Sequence, residues 1–325
     1  MKIFVTGGTG FIGSRLVESL LADGHAVCFS GRSRLDRNES GAEYRRGDLV
    51  DENFALEVSR GVDAIIHCAG LAGTWGPFAD YYRANVLATR HLMEGARANG
   101  VRRVVNISSP SIYFDFKDQL NLKEDQLPSR FSNAYAQTKY EAEVLLQTYH
   151  SRDLQTVSLR PRSVIGRGDQ NVLPRLIRLQ KSGSLVQVGK GENVVDITTI
   201  GNLIDAVKLS LEAPEEAMGE TYNVTNGQPV RFWSFVDEVL AAAGLPTDRR
   251  RVPYIPVMAV ARANELVNQL LKTKKEPALL PISVGVISFS MTLDISKARQ
   301  KLGYSPRFST RDGIREFIEG ASAKA

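Results

Sequence analysis

The sequence predicts an α/β protein, a doubly wound parallel sheet followed by a smaller C-terminal substrate-binding domain. Three observations carry this expectation. Short β-branched runs alternate with segments of helical periodicity through the first half of the chain. Several of those runs are apolar with almost no interruption, as strands covered on both faces must be. The first run passes into its helix through a glycine-rich turn, Thr6-Gly7-Gly8-Thr9-Gly10-Phe11-Ile12-Gly13.

That turn fits two templates at once, Gly8-x-Gly10-x-x-Gly13 and Gly7-x-x-Gly10-x-x-Gly13. Between a strand and a helix such spacing makes a dinucleotide-binding Rossmann turn. Gly7 and Gly10 let the backbone approach a pyrophosphate, and Gly13 lets the helix pack close to the strand. Phe11 and Ile12 open that helix, whose free N–H groups and positive end favour the anion. Leu16, Val17, Leu20 and Leu21 continue its apolar stripe.

Gly24 ends the first helix, and residues 26–30 read as the second strand. An NAD enzyme places an Asp or Glu near this strand end to bind the adenosine ribose. Here Gly31 is followed by Arg32, Ser33 and Arg34, a guanidinium and hydroxyls suited to a 2′-phosphate. NADP(H) is therefore expected as the preferred cofactor, with NAD(H) still open. Residues 44–49 read as a short strand and turn, where Asp48, beside Leu49, is placed for the adenine amino group or as a helix cap. Residues 63–70 form the fourth strand; Ala69 and Gly70 are small enough for the dinucleotide to pass over its end, and His67 reads as packed.

Residues 78–99 read as one long helix carrying Asn85, and residues 103–107 as the fifth strand, which delivers Ser108 and Ser109 at its C-terminal end. Ligands bind at that end of open α/β sheets. A loop of some twenty residues follows, with the length of a functional lid. A helix starting near Ser132 then carries Tyr135 and Lys139, four apart and so on one face. A fixed ammonium beside a phenol favours the phenolate, which tunes the tyrosine for proton transfer. Ser109 could hydrogen-bond the same substrate oxygen.

In this order the motifs resemble the extended short-chain dehydrogenase/reductase superfamily, with its NAD-dependent epimerase/dehydratase fold. The marks are the glycine turn, Gly47-Asp48-Leu49, Asn85-Val86, Ser108-Ser109-Pro110-Ser111-Ile112-Tyr113, Tyr135 with Lys139, and Leu159-Arg160-Pro161-x-x-Val164-x-Gly166. The resemblance implies that Tyr135 is the acid/base, that Lys139 lowers its pKa and binds the nicotinamide ribose, and that Ser109 orients the substrate oxygen. It implies that Asn85 supports the active-site hydrogen bonding, and that Pro161, Ser163 and Val164 flank the nicotinamide. It further implies a homodimer built from the Asn85 and Tyr135 helices.

Within the superfamily, the dehydratases carry Asp-Glu where this chain has Pro110-Ser111. Epimerases resemble Arg-Asp-Tyr-Ile-His-Val where this chain has Val195-Asp196-Ile197-Thr198-Thr199-Ile200. An apolar Val195 cannot hold a diphosphate. This stretch and the closing segment around Leu293-Asp294-Ile295 are closer to the 3β-hydroxysteroid dehydrogenase-like branch. That branch includes sterol dehydrogenases and bacterial reductases of 2-alkyl-3-keto fatty acids.

The domain expectation is 1–165 for the dinucleotide-binding domain and 166–325 for the substrate-binding domain, with some segments returning to the first. Residues 255–271 carry apolar positions at helical spacing, ending at Lys272, Lys274 and Lys275. Core packing is the first reading of this helix, a lid over an apolar substrate the second, and docking on a membrane surface the third. Arg162, Arg167, Arg175 and Arg178 are either ligands for a substrate carboxylate or solvated charges.

The composition fits this picture. Of 325 residues 43% are hydrophobic and 24% charged, with a diffuse net charge of +5. No nucleic-acid module accompanies that charge, so no nucleic-acid partner is expected. Cys28 and Cys68 read as buried thiols on neighbouring strands in a reducing compartment, with no metal-ligand spacing. A strand beginning at residue 2 suggests no signal peptide, and a cytoplasmic protein is expected. The expected activity is an NADP(H)-dependent interconversion of a secondary alcohol and a ketone on a bulky apolar substrate. A nucleotide-sugar epimerase and a non-catalytic dinucleotide-sensing regulator stand as alternatives.

Overall fold

The computed structural model describes residues 1–35, 40–271, 273 and 275–322. Lys272 and Lys274, expected to flank a helix end, lie outside them. Strand β1 (Lys2–Thr6) enters the glycine turn and α1 (Phe11–Ala22), and β2 (Ala26–Gly31) and β3 (Glu43–Arg46) follow. Helix α2 (Glu52–Val58) is capped by Asp51, whose carboxylate accepts from the N–H groups of Asn53 and Phe54. The helix cap is therefore Asp51 rather than Asp48. Strand β4 (Ala64–His67) precedes the long helix, which is interrupted: α3 (Phe78–Tyr82) and α4 (Ala88–Ala98) are α-helical, and Arg83–Leu87 between them is a π-helix. Then come β5 (Arg103–Ile107), β6 (Gln119–Leu122), α5 (Ala134–Tyr149) and β7 (Gln155–Pro161).

The second half runs through β8 (Val164–Ile165), α6 (Val172–Lys181), β9 (Val186–Val188), β10 (Val194–Val195), β11 (Thr198–Thr199) and α7 (Ile200–Glu212). It continues with β12 (Glu220–Val224), β13 (Val230–Arg231), α8 (Phe232–Ala242), β14 (Arg250–Val252) and α9 (Tyr254–Leu270). It closes with α10 (Pro281–Ser288), β15 (Met291–Leu293), α11 (Ser296–Leu302) and α12 (Thr310–Ser322).

Among the described residues the central sheet has seven parallel strands in the order β12-β7-β5-β4-β1-β2-β3. Apolar clusters cover both of its faces. One joins Ile3, Val5, Leu16 and Leu20 to Leu203, Val207 and Tyr222; the other joins Phe4 and Ile65 to Leu92, Met93 and Ala96. The strand order reverses beside β1, which puts the glycine turn at the switch point where dinucleotides bind. Cys28 on β2 and Cys68 just past β4 are separated by β1, so they are not on neighbouring strands as expected. Both thiols are free, and Cys68 is half-buried rather than fully enclosed.

Two segments differ from their sequence reading. The expected lid after Ser109 is anchored structure: Pro110–Tyr113 forms a 3-10 turn, and β6 pairs with β15 in a second sheet of order β13-β10-β15-β6. Helix α9 forms where expected but does not pack its apolar stripe as core. Val260, Leu266, Val267, Leu270 and Leu271 are exposed, and Ile255 is 78% exposed. Its inward side is a short apolar one: Met258 and Ala261 are buried in a cluster with Val188 and Val284, joined by Tyr254 and Val257, and the Asn264 side chain donates to the Leu279 carbonyl (2.8 Å). Periodicity identified the helix, but the apolar residues that turn inward are those of its first half, Met258 and Ala261, while the stripe at its C-terminal end stays exposed. No described helix is long and apolar enough to cross a membrane.

Candidate active site

The glycine turn is shaped by contacts that exclude a Cβ. Gly7 has φ +64, and a Cβ there would lie 3.0 Å from the Ala69 backbone; one on Gly13 would run into the Gly7 carbonyl. The turn is closed by the Gly10 N–H donating to the Gly7 carbonyl at 3.0 Å. It forms one wall of a cleft of about 590 Å³. Of the expected cofactor residues, Gly7, Gly10, Arg32, Asp48, Leu49, Ala69 and Gly70 line this cleft. Gly13, Phe11 and Ile12 lie behind it in the turn and α1, and exposed Ser33 follows Arg32 past the end of β2. Asp48 holds the Val50 N–H (3.1 Å) with one carboxylate oxygen. Thr9, Asp80 and Arg83 also line the cleft and were not anticipated. Asp80 and Arg83 come from the α3–π segment, whose irregular turn has no periodicity signature.

A buried polar chain supports the floor of this cleft. The Thr6 hydroxyl accepts from the N–H groups of Cys68 (3.0 Å) and Ala69 (2.9 Å). It therefore donates to His67 Nδ1 (2.8 Å), which leaves the proton on Nε2 facing Thr89 Oγ1 (2.9 Å). Thr89 in turn donates to the Asn85 carbonyl (2.6 Å). Burial pushes His67 down to about 3, so the ring is neutral and structural. His67 is packed, as its sequence context suggested.

Asn85 sits in the π-helical turn, 2% exposed. Its Oδ1 accepts from the Leu71 N–H (2.7 Å), and its Nδ2 donates to the Leu71 carbonyl (3.1 Å) and Thr138 Oγ1 (3.0 Å). It thereby ties the loop after β4 to α5. A Cβ on Gly70 would lie 3.0 Å from Asn85 Oδ1 and 4.0 Å from Lys139 Nζ, so the cofactor cleft and the catalytic helix meet at this glycine.

Helix α5 starts after Asn133, whose side chain accepts from the Ala136 N–H (2.8 Å), and it presents Tyr135 in its first turn. Lys139 Nζ donates to the Ile107 carbonyl (2.7 Å) at the end of β5. Burial pushes this ammonium down to about 8, against the opposing pull of Glu143. Ser109 lies at Tyr135, and its hydroxyl pulls the phenol pKa down while burial, the larger effect, holds it above the usual value. The resemblance implied that Lys139 depresses the phenol. Here the ammonium donates to the Ile107 carbonyl, one helical turn from Tyr135 on the same helix. Ser111, not anticipated, fixes the Ser109 hydroxyl by accepting from it (2.9 Å), and its N–H donates to the same oxygen (3.2 Å).

A second cavity of about 540 Å³ opens beside Tyr135. Trp75, Tyr81, Glu265, Asn268 and Thr273 are among its lining residues, and none was anticipated. Their positions depend on long-range contacts, such as Trp75 Nε1 donating to the Thr273 carbonyl (2.9 Å), that local patterns do not encode. Pro161 ends β7, Ser163 makes the next turn with φ +47, and Val164 opens β8. The register pairs Ile107 with Leu159, so these residues lie one strand from Ser109 at the same sheet edge.

Comparison with known proteins decides the family. Residues 3–225 match the model of the NAD dependent epimerase/dehydratase family. The chain belongs to that family. The match runs past residue 165 and through β12, the edge strand of the central sheet. A 2-alkyl-3-oxoalkanoate reductase from Stenotrophomonas maltophilia is 34% identical, over 99% of this chain and 100% of that one. A 3beta-hydroxysteroid-dehydrogenase/decarboxylase (isoform 1) from Arabidopsis thaliana is 30% identical, over 98% of this chain and 79% of its own length. Among solved structures, MoeE5 in complex with UDP-glucuronic acid and NAD superposes with a TM-score of 0.78 and 28% identity, each chain covered completely. The family is NAD-dependent, and the chain is an enzyme of its dehydrogenase/reductase kind.

Proposed function

We propose that this family member is an NADP(H)-dependent ketoreductase that interconverts a secondary alcohol and a ketone on a bulky, largely apolar substrate, a 2-alkyl-3-oxo acid or a 3-hydroxysteroid-like compound. The observation that carries the reading is the placement of Tyr135 in the wall of a cavity large enough for such a substrate, on the same helix as the buried Lys139, whose ammonium is fixed on the end of β5. The relatives named above support the same reaction type.

The cleft fits a dinucleotide. Gly7 and Gly13 are held where a side chain would collide with backbone, and the α1 N-terminus points its free N–H groups at that wall. When bound, the cofactor supplies or accepts the hydride. Tyr135 holds the proton on its hydroxyl and delivers it to the carbonyl oxygen. The Ser109 hydroxyl, rotated from Ser111 to the substrate, donates a hydrogen bond to the same oxygen and stabilises the charge that develops there. Lys139 holds a positive charge at the C-terminal end of β5, and Asn85 fixes the backbone that borders it.

NADP(H) preference rests on Arg32, which lines the adenosine end of the cleft; the carboxylates among the described lining residues are Asp48 and Asp80, neither on β2. Arg32→Ala is expected to weaken NADPH binding by roughly tenfold and to leave NADH affinity nearly unchanged. Fluorescence titration with both cofactors measures this, and an unchanged ratio of affinities removes the preference.

Lys139 also sets a pH dependence. Its pKa in the folded chain is lowered from 10.5 to about 8, so the ammonium is lost as pH rises through about 8. The kcat/KM for reduction is expected to fall over that range. Stability moves the other way: between about pH 8 and 10.5 the unfolded chain binds this proton more tightly, so the lysine contributes a rise in stability with pH. A pH–rate profile set beside chemical denaturation at each pH measures both trends.

A nucleotide-sugar epimerase is disfavoured by Val195, which is buried in β10 where a diphosphate-binding arginine would be required. The reading as a whole is tested by following NADPH oxidation with 2-alkyl-3-keto acids, 3-ketosteroids and UDP-sugars. Turnover of an apolar ketone supports it. Conversion of UDP-sugars alone overturns it.

A further inference from the structure

Four arginines follow β7, and three of them face water. Arg175 and Arg178 are exposed on α6, and Arg167 makes a surface ion pair with Glu18 (2.6 Å). Arg162 differs in every respect. It is 8% exposed, its Nε is fully enclosed, and its guanidinium makes no hydrogen bond or ion pair with any described residue. Its backbone is held firmly, the N–H donating to Thr198 Oγ1 (3.0 Å) and the Val224 carbonyl (3.4 Å). Among the described residues Asp196 is the carboxylate whose charge acts on it, and the two make no ion pair. One Asp196 oxygen is already taken by the Leu293 N–H (2.7 Å).

The position of this arginine is as informative as its lack of a partner. Leu159 on β7 pairs with Ile107 on β5. Ser109 lies two residues beyond Ile107, and Arg162 three beyond Leu159, on strands roughly 5 Å apart. A guanidinium taken out of water needs a bidentate acceptor. Arg162 and Ser109 thus share the C-terminal end of adjacent strands, the end of an open α/β sheet at which ligands are seated.

We propose that Arg162 is the carboxylate subsite of the active site, and that the substrate is a 3-oxo or 3-hydroxy acid whose carboxylate Arg162 binds through both nitrogens of its fork. This rests on the ketoreductase reading and chooses between its two substrate classes, favouring the acid over the neutral steroid and assigning the residue that would read its charge. The carboxylate and the reacting oxygen are then held at two fixed points, Arg162 on one strand and Ser109 with Tyr135 on the next. That two-point attachment sets which face of the carbonyl is presented to the cofactor.

The test runs in the oxidation direction, because 3-hydroxy acids do not lose carbon dioxide as 3-oxo acids do. NADP⁺ reduction is measured with a 2-alkyl-3-hydroxy acid and with its methyl ester, which keeps the chain and removes the charge. The quantity read is the ratio of kcat/KM for acid over ester. Arg162→Met is expected to lower that ratio by about 10- to 100-fold, through KM for the acid, and Arg162→Lys to recover part of it. An equal fall for both substrates would mean that Arg162 only shapes the turn after β7, and no change in the ratio would mean that Asp196 is its partner; either overturns the subsite. If Arg162→Met does not fold, competitive inhibition of the unaltered enzyme by the acid against its primary amide gives the same comparison, and equal inhibition overturns the subsite. Turnover of neutral 3-hydroxysteroids with no use of the acid removes the subsite and preserves the ketoreductase. Turnover of no alcohol of either kind removes the reading beneath it.

Discussion

Tyr135→Phe is expected to lower kcat for ketone reduction by about 10²- to 10⁴-fold, the range that a positioned proton donor contributes. The substitution removes one oxygen and keeps the ring, whose centroid lies 6.4 Å from that of Tyr81 in the cavity wall. The dinucleotide cleft is lined by other residues, so NADPH affinity and the thermal midpoint are expected to remain near their original values. Because burial holds the phenol above its ordinary pKa, the protonated form is the resting one at neutral pH, which suits a proton donor in reduction. Steady-state rates beside a cofactor titration separate the two effects. Activity surviving within tenfold would show that the proton comes from elsewhere.

The largest expected effect on stability lies two helical turns further along α5. Glu143 and Arg160 are 2% and 3% exposed and form a bidentate pair, Nε to Oε1 at 2.9 Å and Nη2 to Oε2 at 2.5 Å. Arg160 also donates to the Glu124 carbonyl (2.9 Å) and to the Tyr113 hydroxyl, and Tyr113 donates to Asn223 Oδ1 (2.8 Å). This network fastens the helix carrying Tyr135 and Lys139 to β7 and β12. Glu143→Gln strands a buried guanidinium, and the expected cost is about 3–5 kcal/mol, measurable by denaturant unfolding. The same change has a second readout. Glu143 holds the Lys139 pKa up, so its loss should move the alkaline fall in kcat/KM to lower pH. A stability loss without that displacement would show that the carboxylate anchors the helix and leaves the lysine electrostatically alone.

Most of the sheet could be read from the chain because its strands and turns are locally encoded. The glycine turn, the apolar run at β4 and the Tyr135–Lys139 spacing each carry their reason within a few residues. What could not be read depends on partners distant in sequence. Trp75 reaches the cavity because it bonds residue 273, and Arg162 is unlike Arg175 only because the sheet edge closes over it. The π-helical turn at Asn85 looks helical by pattern, and only the competing bonds to Leu71 and Thr138 distinguish it. Helix α9 teaches a related lesson. Apolar spacing fixes that a helix forms, whereas the direction its apolar side faces depends on what the neighbouring elements leave for it to pack against.

The order of strands has a consequence for synthesis. β7 is completed at residue 161, yet β12, its outer neighbour, is not made until residue 224. While the intervening residues emerge, β7 presents an open row of backbone donors and acceptors to every other nascent chain nearby. β6 likewise waits for β15, more than 160 residues later, before it has a partner in its own sheet. Such distant pairings are slow to close in comparison with local ones, and here they also wait on synthesis of the partner strand. The time β7 stays unpaired is the time needed to make residues 162–224, so chains truncated before residue 220 are expected to be less soluble than the full chain.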